Sequence, residues 1–572
     1  MSPEEICEMR WTLKAKPEEG LVKHLSEAIK VSPLVATLLL QRGINNYEEA
    51  HRFFRPQLEH LHDPFLMKDM DLAVKRIEEA IRLEQNILVY GDYDVDGTTA
   101  VALVSSYLLS NYSRVATYIP DRYAEGYGVS YAGIDFADDN DIQLIIALDC
   151  GIKALDKVTY AKEKGIDFII CDHHRPGDQI PDAVAVLDPK RNDCNYPYDE
   201  LCGCGIGFKL IQAIEQQKGR PVDGIISYLD LVATAIAADI VPMTGENRVL
   251  TFYGLKVINQ QSRPGFKAIL NTVKKSNLTV TDVVFVIAPR INAAGRMEHG
   301  RYAVSLLTET DQMKAEKMAG EIEQFNTDRR GLDQVITEEA LEQIKSNKEE
   351  ERYTSVVYND SWHKGVIGIV ASRLTETYYR PTLVFTKSGD KLAASARSVR
   401  GFDLYNALEA CKESLEQFGG HKYAAGLTLS ESQYEEFKAR FEDVVSETIS
   451  PEFLNPEIRI DAEISLADIT PKLMRILRQF EPFGPGNMKP VFLTQQLRDS
   501  GYAKGVGEGD KHLKIAVVQG NSNPIQAIGF GLGHKLSLVR DNKQFSLVYC
   551  LDENHWNGTV SLQLKLKDIR QA

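Results

Sequence analysis

The sequence predicts an α/β protein: a parallel-sheet domain joined by a long helix to a smaller α/β domain, with a small β-barrel at the C-terminus. Three observations carry this. From residue 86 onward, apolar runs of strand length (87–90, 116–119, 144–148, 168–171 and 183–187) alternate with helical stretches such as 98–109 and 154–164, the pattern of a parallel sheet. Residues 308–346 are long, charged and nearly free of Gly and Pro, as a connecting helix between lobes requires, although a solvated surface helix reads the same way. Beyond residue 451, short strands broken by Gly, Asn and Asp (514–518, 525–529, 545–550 and 560–566) have the spacing of a small barrel.

Residues 1–80 read as short amphipathic helices (18–28, 33–41, 46–54 and 69–83) without visible chemistry, an N-terminal helical cap. The parallel-sheet domain is expected over 81–307, the connector over 308–346, the second α/β domain over 347–450 and the barrel over 451–572. Within the second α/β domain the pattern is strand 354–358, helix 366–377, strand 382–385 and strand 392–399. A chain of 572 residues is too long for one hydrophobic core. No internal repeat or low-complexity tract is visible.

Composition narrows the class. The chain is 43% hydrophobic and 26% charged with a mean hydropathy of −0.25, an ordinary soluble balance. It has no apolar run of spanning length, and Glu4, Glu5 and Glu8 stand where a signal sequence would be basic, so a cytoplasmic protein without membrane contact is expected. Eight cysteines are scattered, with Cys150, Cys171 and Cys550 inside apolar runs, which suits a reducing compartment. Cys194, Cys202 and Cys204 lack a further ligand at zinc-ribbon spacing. The net charge of −15 argues against a nucleic-acid partner, but residues 456–572 carry 15 Lys and Arg against 12 Asp and Glu, so the tail is locally basic. The acid elsewhere has another use, because a divalent-metal site needs carboxylates.

The most informative segment is GDYDVDG at 91–97, a strand followed by three aspartates on alternate positions. In extended backbone, Asp92, Asp94 and Asp96 would form one carboxylate row, and like charges so close call for a cation among them. A calcium EF-hand loop begins with the same spacing, but its twelfth position is Leu103 and a strand replaces the preceding helix. Two more strands end in Asp149 and in the triplet Asp172, His173, His174, and Asp239 interrupts the apolar run 233–242. A lone Asp after a strand is usually a cap or turn residue. Several such ends in one parallel sheet converge beyond the carboxyl edge, and mixed carboxylate and imidazole ligands suit Mn²⁺, Fe²⁺ or Zn²⁺ more than Mg²⁺.

Together, GDYDVDG, Asp149, the DHH triplet and Asp239 resemble the four motifs of the DHH phosphoesterase superfamily, with order and spacing close to its RecJ branch. The likeness continues in RINAAGRM (290–297), HKGVIGIVASRL (363–374), SAR (395–397) and GGHKYAAG (419–426), of which the last segments resemble the DHHA1 domain. EPFGPGNMKP (481–490), KHLK (511–514), NHWNG (554–558) and QLKLKDI (563–569) resemble the RecJ OB domain.

The resemblance implies a single-stranded-DNA-specific 5′→3′ exonuclease that hydrolyses phosphodiester bonds with two Mn²⁺ ions, or Mg²⁺ in their place, releasing 5′-mononucleotides in DNA repair and recombination. It implies metal ligation by Asp94, Asp96, Asp149, His173 and Asp239, with Asp149 suited to bridging, and places Asp92, Asp172 and His174 beside them as catalytic groups orienting water and phosphate. Arg122, Arg296, Ser395 and Arg397 would grip a terminal 5′-phosphate and His421 would add a contact, whereas an isolated exposed Arg is more often a solvated surface residue. Trp556 is a candidate stacking platform in the barrel, or a hairpin-packing residue. Implied partners are single-stranded DNA with a 5′ end, a helicase and a single-strand-binding protein. Two alternatives remain. One is a DHH phosphodiesterase of short oligonucleotides or cyclic dinucleotides, against which the barrel argues. The other is a non-catalytic replication scaffold, against which the full set of carboxylates and histidines argues.

Overall fold

The computed structural model describes residues 9–273, 277–556 and 559–571, with side chains described outside 555–559. Two compact units form: Glu48–Arg329 with Gln479–Met488 make one, and the described part of Met1–Tyr47 with Arg330–Arg478 and Lys489–Ala572 make the other. The helix Gln312–Ser346 runs through the division at Arg329, and the expected N-terminal cap divides between the units after Tyr47.

In the first unit, five strands form a wholly parallel sheet in the order Val115–Tyr118, Asn86–Gly91, Ile142–Leu148, Asp167–Cys171, Ala185–Leu187. Both faces are buried, which is why these strands read as continuous apolar runs rather than alternating ones. Ile87, Val89, Leu144 and Ile146 enter one core, while Leu88, Tyr90, Ile145 and Ala147 enter the core on the opposite face. The strand order reverses between Asn86–Gly91 and Ile142–Leu148, and that switch opens a crevice at the carboxyl edge. Register then fixes what lines it. Gly91 pairs with Leu148, Leu148 with Cys171, and Cys171 with Leu187. The next residue of each strand is an aspartate: Asp92, Asp149, Asp172 and Asp188.

The second unit holds two sheets of functional interest. One has the order Gln417–His421, Ala424–Ser430, Lys391–Arg397, Thr382–Ser388, Ser355–Tyr358. Only its last pair is parallel, joined through the helix Ile367–Tyr378. The other sheet closes on itself: Phe492–Asp499 pairs with both Phe545–Trp556 and His512–Val518, completing a barrel through Thr559–Gln571 and Ile525–Gly529. Closure pairs the five longer strands on both sides, and the short strands Ala462–Glu463 and Lys504–Val506 flank the ring. The short strand Arg10–Leu13, in a region read from sequence as helical only, pairs in parallel with Glu457–Ile460. Four residues are too few for a periodic signal, and a partner more than 440 residues away leaves none in the local sequence.

Candidate metal centre

The expected extended row of Asp92, Asp94 and Asp96 does not form. Asp94 is the N-cap of the helix Val95–Leu109, its Oδ1 accepting from the Gly97 N–H at 3.0 Å, so the chain turns helical three residues before the expected 98–109 helix. Asp92 stays at the strand end, fully buried, with Oδ1 accepting weakly from the Gly128 N–H at 3.5 Å and Oδ2 without a partner. Asp96 lies in the first helical turn, where its two oxygens accept from the N–H groups of Gly203 (2.6 Å) and Cys204 (2.7 Å) at the start of the helix Gly203–Gln217. Glycine is required there: a Cβ on Gly203 would stand 2.6 Å from the Cβ of Asp149.

Asp149 adopts the left-handed region (φ 60°), a strained conformation for a non-glycine residue, held by its N–H donating to Cys171 O at 2.9 Å. This aims a buried carboxylate into the crevice. His173 Nε2 faces three carboxylates, 3.2 Å from Asp149 Oδ1 and 3.7 Å from oxygens of both Asp96 and Asp239. Asp239 arrives from the C-terminal end of the helix Leu229–Ala238, and is the most exposed of the set. Asp172 points differently. Its Oδ1 accepts from the N–H groups of His173 and His174 and lies 2.8 Å from His174 Nδ1, while Oδ2 accepts from the Ile152 N–H at 2.9 Å. It organises the histidine pair.

Electrostatics follow from this crowding. Burial, then the neighbouring carboxylates, pushes Asp92 and Asp149 well above the usual range, Asp96 up to about 7 and Asp239 up to about 8. Asp172 is instead held at about 2: burial opposes ionisation, but the hydrogen bond and charge of His174 outweigh it. His174 rises to about 8 through Asp172 despite burial, whereas burial and His174 lower His173 to about 3, leaving a neutral imidazole able to ligate.

Two donor groups gather within 4.8 Å: Asp149, His173 and His174, and Asp96, His173 and Asp239. Asp149 Oδ1 is buried with no hydrogen-bond partner, although His173 Nε2 is 3.2 Å away. Two ligating atoms in near contact, among carboxylates that repel one another, are what a divalent cation satisfies, and the oxygen and imidazole donors fit Mn²⁺. Asp94 falls in neither group, though its charge raises Asp92, Asp96, Asp149 and Asp239.

Arg122 lies with its guanidinium 4.6 Å over the Tyr93 ring, and its charge acts on Asp92. Arg296 lies in the last turn of the helix Ala288–Met297, its carbonyl accepting from the Tyr123 hydroxyl, and both arginines act on Tyr93 and Tyr123. In the second unit, Arg397 Nη1 donates to Ser395 Oγ at 3.0 Å, and strand register sets His421 opposite Ala424 and Ala424 opposite Arg397. The Trp556 side chain lies outside the described residues.

Sequence reasoning missed several groups. Asp188 is fully buried with Oδ2 unpartnered and pushed up to about 7 by burial, and it follows a strand as Asp149 and Asp172 do, so the signal was legible. Tyr127, between two glycines, brings its hydroxyl to 3.1 Å from His174 Nε2. On the barrel, Lys504, Lys514, Ile528 and Lys565 form one cross-strand row. Lys504 lies over Tyr502 (4.9 Å) and Lys565 over Phe530 (5.7 Å), two exposed rings.

Carboxylates and paired histidines beyond the carboxyl edge of a doubly wound parallel sheet, followed by a mixed sheet and a barrel, define a DHH phosphoesterase. The DHH family N-terminal domain matches residues 86–236, the DHHA1 domain 352–447 and the RecJ OB domain 460–568. The single-stranded-DNA-specific exonuclease RecJ of Bacillus subtilis is 35% identical over 568 residues, covering 98% of this chain and 70% of that protein. RecJ of Escherichia coli is 32% identical, covering 94% and 96%. The crystal structure of RecJ with Mn²⁺ from Thermus thermophilus superposes with a TM-score of 0.85 at 28% identity, covering 99% of this chain and 80% of that one. The chain belongs to the RecJ family.

Proposed function

We propose that this protein is a single-stranded-DNA-specific exonuclease that degrades strands 5′→3′ by metal-dependent phosphodiester hydrolysis, releasing 5′-mononucleotides in DNA repair and recombination. The observation that carries the reading is the unpartnered, buried Asp149 Oδ1 facing His173 Nε2 amid Asp96 and Asp239. When bound, two divalent ions, Mn²⁺ or Mg²⁺, polarise the scissile phosphodiester and neutralise charge on the leaving oxygen.

The residues divide the remaining work. Asp96, Asp149, His173 and Asp239 would hold the ions, joined by Asp94 on the family resemblance. Asp92 borders them, and Asp172 fixes His174 through the 2.8 Å contact at Nδ1, leaving Nε2 facing the Tyr127 hydroxyl, where His174 would help orient water and phosphate. In the catalytic unit, Arg122 and Arg296 are the residues that would contact the terminal 5′-phosphate. Ser395 and Arg397 grip the terminal 5′-phosphate, with His421 along the same register. The Lys504, Lys514 and Lys565 row with Tyr502 and Phe530 supports strand binding on the barrel, since lysines meet phosphates and rings stack on bases. A helicase exposing the strand and a single-strand-binding protein coating it fit this substrate as partners, and action on DNA ends fits a cytoplasmic protein. No helix among the described residues is long and apolar enough to cross a membrane.

Digestion of end-labelled single strands with and without Mn²⁺, with either terminus blocked, tests reaction, cofactor and polarity together. Mononucleotides released from the 5′ end only with metal are expected. Cleavage that persists with the 5′ end blocked, or preference for dinucleotides over long strands, refutes the reading.

A further inference from the structure

Chain connectivity hides one contact that bears on the metal centre. Residues Gln479–Met488 lie between the helix Pro471–Arg478 and the strand Phe492–Asp499, yet they fold as part of the unit that carries the parallel sheet. One buried guanidinium gathers four of their carbonyls. Arg248, on the helix Gly245–Gln260, is 5% exposed, and its nitrogens donate to the carbonyls of Gln479 (3.1 Å), Phe480 (2.8 Å), Glu481 (2.9 Å) and Pro482 (3.3 Å), as well as to Phe53. Asn487 closes the segment on itself, its Nδ2 donating to Phe480 O at 2.7 Å and Pro482 O at 2.9 Å. Phe480 packs edge-on against Phe53 and Phe54.

The closed loop reaches toward Asp239. Its Pro485 carbonyl accepts from the Met243 N–H at 2.6 Å. Met243 is four residues beyond Asp239, across a turn that passes through left-handed Ile240 (φ 59°). From the other side, Asn247 Nδ2 (3.0 Å) and the Tyr198 hydroxyl (3.3 Å) donate to Pro242 O. Two glycines let the loop lie close: a Cβ on Gly484 would meet Met243 Cβ at 3.0 Å, and one on Gly486 would meet Thr244 Cγ2 at 2.9 Å. Asp96 and Asp149 have side chains 1% and 2% exposed, whereas that of Asp239 is 31% exposed at the end of a helix, so its place depends on the course of the chain that follows.

We propose that Gln479–Met488, clasped by Arg248 and closed by Asn487, is a positioning element for the metal ligand Asp239. It sets the 240–244 turn and thereby the geometry of the second donor group. A segment adjoining the barrel strands in sequence thus tunes metal affinity at the catalytic edge.

This inference rests on the reading of Asp239 as a ligand, and three variants of the full chain separate the two: Asp239→Ala, Asn487→Ala and Gly486→Ala, with Arg248→Lys replacing any clasp variant that fails to fold. Mn²⁺ dissociation constants are measured by electron paramagnetic resonance titration, cooperativity of folding by melting curves in EDTA, and turnover against Mn²⁺ concentration at saturating strand. The clasp variants are expected to melt cooperatively, to bind Mn²⁺ about tenfold more weakly, and to regain turnover at high Mn²⁺ with KM for the strand unchanged. If Asp239→Ala binds Mn²⁺ as the wild type does, the ligand reading falls and the inference with it. If Asp239→Ala is impaired while the clasp variants keep wild-type Mn²⁺ affinity, whatever their melting midpoints, the clasp is purely structural and the inference alone is overturned.

Discussion

Replacing Arg397 by Ala should narrow the preference for 5′-phosphorylated over 5′-hydroxyl strands. Arg397 ends the strand Lys391–Arg397, where its Nη1 bridges Ser395 Oγ (3.0 Å) and the Ala396 carbonyl (2.8 Å), so hydroxyl and guanidinium stand together on the face proposed to take the phosphate. Gly368, on the helix Ile367–Tyr378, leaves that face room: a Cβ there would stand 3.0 Å from Ser395 Oγ and 3.1 Å from Arg397 Nη2. A charge-assisted hydrogen bond to phosphate is worth about 1.5 to 3 kcal/mol, so the rate ratio between the two strands should fall roughly 10- to 150-fold. Losing the two intramolecular bonds costs stability by about 1 to 3 kcal/mol, but that penalty falls on both substrates alike and cancels in the ratio. The assay is initial degradation rates of both strands at one salt concentration, with melting curves beside them. An unchanged ratio with both rates depressed would remove Arg397 from the 5′-phosphate site.

Asp149→Ala should abolish hydrolysis while leaving strand binding within a few-fold, because that carboxylate faces His173 in the proposed metal centre; activity within about threefold of wild type in a gel assay would reject its role. Glu246→Gln should destabilise the first unit by about 3 to 5 kcal/mol in denaturant titrations, since Lys209 Nζ, 3.0 Å away and fully buried, would lose its anion. Burial already lowers the Lys209 pKa below its unfolded value, so the unfolded chain binds more protons and the variant's deficit should shrink as pH rises toward the lysine range; a deficit independent of pH would contradict this. Changing Lys504, Lys514 and Lys565 together to Ala should reduce the slope of log affinity against log salt for long single strands by about 2, and an unaltered slope would place the strand elsewhere. Point changes are preferable to deleting the barrel, because a deletion through 479–488 also removes part of the catalytic unit.

Much of the catalytic side was legible in the chain. Parallel strands buried on both faces must be apolar throughout, so Ile142–Leu148 and Asp167–Cys171 declare themselves, and an acid placed just after each one stands out against that run. Asp149, Asp172, His173 and His174 stand at such strand ends, and Asp188 follows the same rule. What alternation could not convey was direction. The spacing of Asp92, Asp94 and Asp96 suggested one extended row, but the capping bond from Gly97 to Asp94 turns the backbone into a helix and delivers Asp96 to the N–H groups of Gly203 and Cys204, over a hundred residues away.

The sequence by itself thus determined the fold class, the strand ends and the chemical types of the ligands, because periodicity and residue identity are local properties. Only the tertiary structure decided which of those groups meet. Register aligned the four aspartates. A left-handed backbone aimed Asp149. Arg248 gathered carbonyls from a segment more than 230 residues distant to hold the turn after Asp239. Each of these contacts uses backbone groups that every residue carries on at least one side, so the partner leaves no mark on side-chain pattern and is met only when the chain is packed.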